Sequence, residues 1–178
     1  GISFNIEGNL EAAIESYKRA IEIKPDYSEA YFNMANILSN KGKLDAAIES
    51  YKRVIDIKPE HAQAHFNMGV ASKNKGNSEA AIESYKLAIK IEPDYAEAHY
   101  YYGNALSAKY DRADVGGDLE AAIESYERAI KSDPDHFQAY EGMSFWLRHY
   151  IWALNNQLTG KLEKNDHLIE LEKRKLKN

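Results

Sequence analysis

The sequence contains no cysteine among its 178 residues, which rules out disulfides, thiolate nucleophiles and thiolate metal sites together. It also lacks an excess of positive charge. With 23 basic and 28 acidic residues the formal charge is -5 and the pI about 5.7, so there is no field to draw in phosphate backbones. Nucleic acid is therefore not an expected partner. Long apolar runs are missing as well: the most hydrophobic stretch, FWLRHYIWAL, is interrupted by Arg148 and His149 and falls short of the roughly 20 residues needed to span a bilayer, so no membrane association is expected. Four prolines and ten glycines are too few for a linker or a low-complexity tract. What is present, 44% apolar and 29% charged residues, suits a folded chain with a core. The chain begins at Gly1 instead of Met and shows no charged-then-apolar leader, as expected of a piece of a longer sequence whose targeting segment lies elsewhere. The cytoplasm is the expected compartment.

The dominant feature is self-similarity. The string AAIESY occupies residues 12–17, 46–51, 80–85 and 121–126, with spacings of 34, 34 and 41. The same frame surrounds each copy. Gly8, Gly42, Gly76 and Gly117 precede it, Pro25, Pro59, Pro93 and Pro134 follow it, and each glycine stands 17 residues before its proline. In the unit from Tyr31 to Ala64, the residues Tyr31, Met34, Ala35 and Leu38 fall at spacings of three and four, one face of a helix. A polar turn around Gly42 follows, at a residue that enters the left-handed conformation at low steric cost. Leu44, Ala47, Ile48, Tyr51, Val54 and Ile55 then repeat the helical spacing until Pro59 ends it. Two short amphipathic helices cannot bury their apolar faces alone, so successive units must stack on one continuous core. Small residues recur where helices must approach: Ala35, Gly69 and Gly103 in the first helix, and Ala13, Ala47, Ala81 and Ala122 in the second.

A 34-residue helix–turn–helix unit with this pattern of large, small and aromatic positions and a closing proline resembles the tetratricopeptide repeat, over about 140 residues. The family's positions fall on Tyr31, Met34, Ala35, Leu38, Ala47, Tyr51, Val54 and Pro59, and in the next unit on His65, Met68, Gly69, Ala81, Tyr85, Ala88 and Pro93. Tyr31, His65 and His99 stand where the family often has Trp, and Ser72 where an aromatic or Leu is common. The resemblance implies an all-α right-handed superhelix of stacked antiparallel helix pairs with a C-terminal capping helix. The expected organisation is one domain over 1–178: a truncated repeat 1–30, repeats 31–64 and 65–98, a repeat 99–139 with a seven-residue insertion, and a cap and tail 140–178.

Candidate chemistry is sparse, and no catalytic, metal or cofactor site is expected. His61 and His65 are four apart, but no HExxH string accompanies them and His65 occupies a packing position of the repeat. Asp111, Asp114 and Asp118 in the insertion, SAKYDRADVGGD, lack the alternating oxygen ligands and terminal Glu of a calcium loop. The insertion is expected to lengthen one helix and its loop. Glu15, Glu49, Glu83 and Glu124 recur with the repeat, and three of them stand four before an arginine, as surface ion pairs do. Phe145, Trp146 and Trp152 lie off the apolar stripe of the capping helix and are expected to pack under the tail, in which Leu162, Ile169 and Leu176 recur at spacing seven.

In the family the first helices line the concave surface. The resemblance therefore assigns Phe32, Asn33 and Asn36 to a groove, followed by Phe66, Asn67 and Val70, then Tyr100, Tyr101 and Asn104, with Glu141 and Phe145 extending the row. A carboxamide both donates and accepts, so a ladder of Asn33, Asn67 and Asn104 is suited to pair with the backbone of an extended peptide whatever its side chains. Such a row resembles the groove of the repeat domain in O-linked N-acetylglucosamine transferase. Phe32, Phe66 and Tyr100 stand where chaperone-tail binders carry Lys and Arg, which disfavours that ligand. The expected function is a protein-interaction scaffold for a protein or extended peptide. The alternatives are the repeat region of a larger glycosyl- or sulfotransferase-type enzyme, and head-to-tail self-assembly as a homo-oligomer through exposed solenoid ends.

Overall fold

A computed structural model describes residues 2–108, 117–152 and 154–156. The insertion at 109–116 and the tail from 157 lie outside the described residues, as do the readings made on them. Seven helices run in order as α1 Ile2–Ile23, α2 Ser28–Asn40, α3 Leu44–Ile57, α4 Ala62–Asn74, α5 Ser78–Ile91, α6 Ala96–Ser107 and α7 Gly117–Ser132. An eighth, α8, covers 137–152, and 154–156 are helical too. There is no strand among the described residues.

The glycine and proline frame sets the boundaries by two different devices. Gly42 and Gly76 take positive φ values of 71° and 88°. That conformation lets Gly42 N–H donate to Ser39 O and Lys43 N–H to Leu38 O, both at 2.9 Å, and Gly76 and Asn77 repeat the pair. The last carbonyls of α2 and α4 are thereby satisfied as the chain reverses. Each proline instead sits second in a four-residue turn, where its fixed φ is already suitable. Tyr27, His61, Tyr95 and His136 N–H groups close the four turns onto Lys24, Lys58, Glu92 and Asp133 carbonyls at 3.1–3.2 Å.

Helices pair as α2 with α3, α4 with α5 and α6 with α7, while α1, α3 and α5 lean on α2, α4 and α6 of the following pairs. This is the all-α stack of helix pairs that the repeat implied, and α8 caps it by laying Met143 and Trp146 against the cluster around Tyr126. The interior is built on the recurring tyrosines: Tyr51, Tyr85 and Tyr126 are the largest fully buried side chains. Glycine makes room for them. A Cβ on Gly69 would come within 2.6 Å of the Tyr85 ring, and one on Gly103 within 3.0 Å of Tyr126. His65 and His99, in place of Trp, are buried and hold their Nε2 atoms 3.0 and 2.8 Å from the Pro59 and Pro93 carbonyls, tying each first helix to the turn before it.

Two local expectations change. Gly8 does not close a helix, because α1 continues through it for 22 residues. The recurring glutamates pair mostly with lysine: Glu15 with Lys18, Glu49 with Lys52 and Glu83 with Lys86 at i+3, and only Glu124 with Arg128 at i+4. These pairs are exposed and stabilise little.

Candidate functional site in the row of first helices

The second residue of each first helix's motif, Phe32, Phe66 and Tyr100, is half-buried between two rings. It packs on the tyrosine of its own repeat, with centroids 6.1, 5.9 and 6.2 Å away at Tyr51, Tyr85 and Tyr126. On its other side stands the turn residue of the next repeat, His61, Tyr95 or His136, at 4.9, 5.1 and 4.9 Å. Tyr101 adds an edge contact to Phe66 at 5.3 Å and carries Lys73 Nζ 5.6 Å from its ring centre. These aromatics therefore serve first as spacers between repeats.

The carboxamides divide by register. Asn36 and Asn104 are 68 residues apart, two repeats, and occupy the same position. Both accept at Oδ1 from the buried phenol of the pairing helix, Tyr51 Oη to Asn36 and Tyr126 Oη to Asn104, each at 2.7 Å. Asn33 and Asn67 share another position, filled in the third repeat by Tyr101. Asn67 donates from Nδ2 to Asn36 Oδ1 at 3.0 Å, joining two repeats, while Asn33 stands exposed. Asn33, Asn67 and Asn104 thus do not form one row: the structure brings Asn36 and Asn67 together and places Asn104 apart.

This arrangement fixes the polarity of the site. Asn36 Oδ1 is occupied by two donors, so the polar group it has to offer a visitor is its Nδ2 amide, whereas Asn104 Oδ1 accepts from Tyr126 Oη. Asn36, Ser39, Asn40, Tyr51, Asn67 and Val70 surround a recess of about 340 Å³. A wider hollow of about 890 Å³ lies between 58–63 and 91–92, lined by Lys58, Glu60, His61, Gln63 and Glu92 with Pro59, Ala62 and Ile91. Burial pushes the Tyr51 phenol up to about 12, so it stays a donor over the physiological range.

The middle repeat breaks the pattern. Val70 holds the position of Asn36 and Asn104, and the buried Tyr85 hydroxyl, lacking that acceptor, has no hydrogen-bond partner. Sequence reading named Val70 for the groove but treated the three tyrosines only as packing residues. The 15-residue separation of Asn36 and Tyr51, which becomes 22 at Asn104 and Tyr126 across the seven-residue insertion, was the signal available for the pairing. Among the described residues no group of acidic residues and histidines is placed to hold a metal ion. None of their helices is long and apolar enough to cross a membrane.

Comparison with known proteins agrees with this architecture. No curated protein matches the chain in sequence. Among solved structures, a crystal structure of MamA superposes with a TM-score of 0.72 at 23% identity, covering 91% of this chain and 94% of that one. The first TPR of Spaghetti (RPAP3), bound to the HSP90 peptide SRMEEVD, gives 0.62 at 23% identity over 68% of this chain and 91% of its own. YrrB, described as a TPR protein with an unusual peptide-binding site, gives 0.66 at 18% identity over 82% and 71%. At these identities the likeness shows the fold. The family signatures go further: the TPR repeat matches residues 1–42, 35–76 and 73–109, and the tetratricopeptide repeat matches 116–136. The chain belongs to the tetratricopeptide repeat family.

Proposed function

We propose that the chain is a protein-interaction scaffold, one continuous repeat array whose row of first helices binds an extended peptide segment of a partner protein. The observation that carries this reading is the Asn36–Asn67–Tyr51 cluster at the 340 Å³ recess. Its carboxamide oxygen is held by two internal donors, so N–H groups are presented in a fixed orientation to the backbone carbonyls of an extended chain. Preorganised donors are what an extended peptide needs, since the peptide itself loses much conformational freedom on binding. Asn104 repeats the phenol bond two units on, and the partly exposed rings of Phe66 and Tyr101 supply apolar surface between. Peptide complexes on the same fold, such as the one with SRMEEVD, support the choice of ligand class. The aromatics at Phe32, Phe66 and Tyr100 argue for a different peptide chemistry here.

The test begins with selection of a displayed random-peptide library on the immobilised chain. The winning peptide's affinity is then measured against Asn67→Ala and against Glu83→Ala, an exposed residue on a second helix. A loss of roughly tenfold for Asn67→Ala with Glu83→Ala unchanged is expected, the size of one good hydrogen bond to an uncharged group. Equal affinities, or no selectable peptide, would contradict the assignment.

A further inference from the structure

We infer that Val70, with Phe66 and Tyr101, is a side-chain subsite of the groove that selects partners carrying one large apolar residue in the bound segment. The inference rests on the peptide-groove reading above and names what separates one peptide from another. Two boundaries between first helices carry different pairs at equivalent positions. Between α2 and α4, Asn67 Nδ2 donates to Asn36 Oδ1 at 3.0 Å, and Tyr51 Oη donates to the same oxygen at 2.7 Å. Between α4 and α6, each position 34 residues on is filled by Tyr101, Val70 and Tyr85 respectively. Both members of the carboxamide bridge are thus replaced together, one by an aromatic and one by an aliphatic side chain.

The fold does not require the exchange. Asparagine occupies the Val70 position in the repeats on either side, as Asn36 and Asn104, and accepts there from the buried phenol of the pairing helix. Val70 leaves the Tyr85 hydroxyl buried without a hydrogen-bond partner, and an unmet donor in the interior is destabilising. Nor do the apolar residues offset this by sealing themselves, since Phe66, Val70 and Tyr101 all stay partly exposed. Apolar surface kept open at the expense of an internal hydrogen bond is the signature of a contact made with something else.

The three side chains form one surface. Phe66 and Val70 are four apart on one face of α4, and the Tyr101 ring of α6 stands edge-on to Phe66 with centroids 5.3 Å apart. Tyr101 also lies 6.0 Å from the Tyr85 ring, and all three pack on the buried cluster that contains Tyr85. Val70 lines the 340 Å³ recess together with Asn36 and Asn67, so carboxamide and apolar surface meet there. Every residue of an extended segment carries a carbonyl, and successive side chains point to opposite faces. One segment can therefore offer a carbonyl to Asn36 Nδ2 and an apolar side chain to Phe66, Val70 and Tyr101. A large aliphatic or aromatic side chain is the occupant that removes this surface from water.

The experiment is a double-mutant cycle between the full chain and the library-selected peptides. These peptides are expected to share one Leu, Ile, Met or aromatic residue, whose replacement by alanine weakens binding to the wild-type chain roughly tenfold, the scale of one buried apolar side chain. Against Val70→Asn the same replacement should matter by no more than about threefold, because the surface it touches is already changed. Val70→Ala, measured alongside, should behave in the same way and does not depend on how an asparagine is received by the fold. Val70→Asn also gives Tyr85 the acceptor that Tyr51 and Tyr126 have, so its melting temperature should equal or exceed that of the wild type while its affinity falls. A clearly lower melting temperature would make packing the reason for the valine and overturn the inference. So would an equal tenfold loss in the wild-type, Val70→Asn and Val70→Ala chains; with Asn67→Ala still weakening binding, the groove itself would stand. Peptides that share an acidic residue in place of the apolar one, and lose affinity with Lys73→Ala beside Tyr101, would overturn it as well. An Asn67→Ala chain that binds unchanged contradicts the groove reading, and the subsite falls with it.

Discussion

The three buried tyrosines are a comparison made within one chain. Tyr51 and Tyr126 each give their hydroxyl to an asparagine at 2.7 Å, and Tyr85 has Val70 instead. Removing a paired hydroxyl forfeits a hydrogen bond and leaves an acceptor unmet, about 1 kcal/mol or somewhat more, whereas removing an unpaired buried hydroxyl relieves its desolvation. Tyr126→Phe should therefore lower the unfolding free energy by about 1 kcal/mol and Tyr85→Phe should leave it unchanged or raise it, as read by urea denaturation. Equal losses for the two would mean that Tyr85 is satisfied after all. The same pairing decides which asparagine is the clean probe of binding. Asn36→Ala orphans the Tyr51 hydroxyl, but Asn67→Ala leaves Asn36 its bond from Tyr51. Burial also raises the phenol pKa of Tyr51 and Tyr95 to about 12 and lifts those of Tyr85 and Tyr126. Unfolded, these groups titrate near 10. The stability tied to their protons is whole below about pH 10 and falls as pH rises to about 12. Tyrosinate absorbance followed from pH 9 to 12 should show a fraction of phenols that ionises only as the helical signal is lost; complete ionisation near pH 10 in the folded chain would refute it. One contact of this layer was partly readable beforehand, since Asn36 and Asn67, both named from the sequence, meet across two repeats. The register of the asparagines was not read correctly: Asn33, Asn67 and Asn104 look alike as letters, but a 34-residue period puts Asn104 with Asn36, and only the phenol contact makes that difference physical.

At the scale of the helix, the Gly-to-Pro frame was legible because each marker has its own backbone reason. The positive φ of Gly42 and Gly76 and the repeated proline turns fall where the spacing put them. Gly8 shows the limit of that reading. Glycine permits a left-handed turn without demanding one, and α1 keeps its helical hydrogen bonds through it instead. Ion pairing was misread for a related reason, since i+3 and i+4 neighbours are both within reach on a helix and side-chain length chooses between them. Helix contact at Gly69 offers a sharper test. Alanine there gains about 1 kcal/mol of helix propensity, but its Cβ would meet the buried Tyr85 ring at 2.6 Å, and overpacking of that kind costs roughly 1–3 kcal/mol. Gly69→Ala should be destabilising by about 1 kcal/mol in thermal or urea denaturation, while Gly103→Ala, whose nearest contact is 3.0 Å, should cost less. A stabilised Gly69→Ala protein would show that the ring yields freely.

For the whole molecule, stacking of neighbouring repeats is what builds the interior. Each pair buries its apolar stripe only against neighbours, which is why Tyr51, Tyr85 and Tyr126 are fully buried. The same stacking carries Asn67 of one repeat to Asn36 of the previous one, which no single repeat can do. The proposed groove would thus be a property of the array, and it is the claim on which the rest depends. Its most direct test is a nitrogen-15 NMR titration of the chain with the library-selected peptide, following the side-chain NH2 resonances. The account predicts that those of Asn36, Asn67 and Asn104 move in a saturable way together, while backbone amides on the outward faces of α3 and α5 stay put. Saturable shifts confined to α3, α5 or the turns at 58–63 and 91–92, with those three carboxamides unmoved, would contradict it.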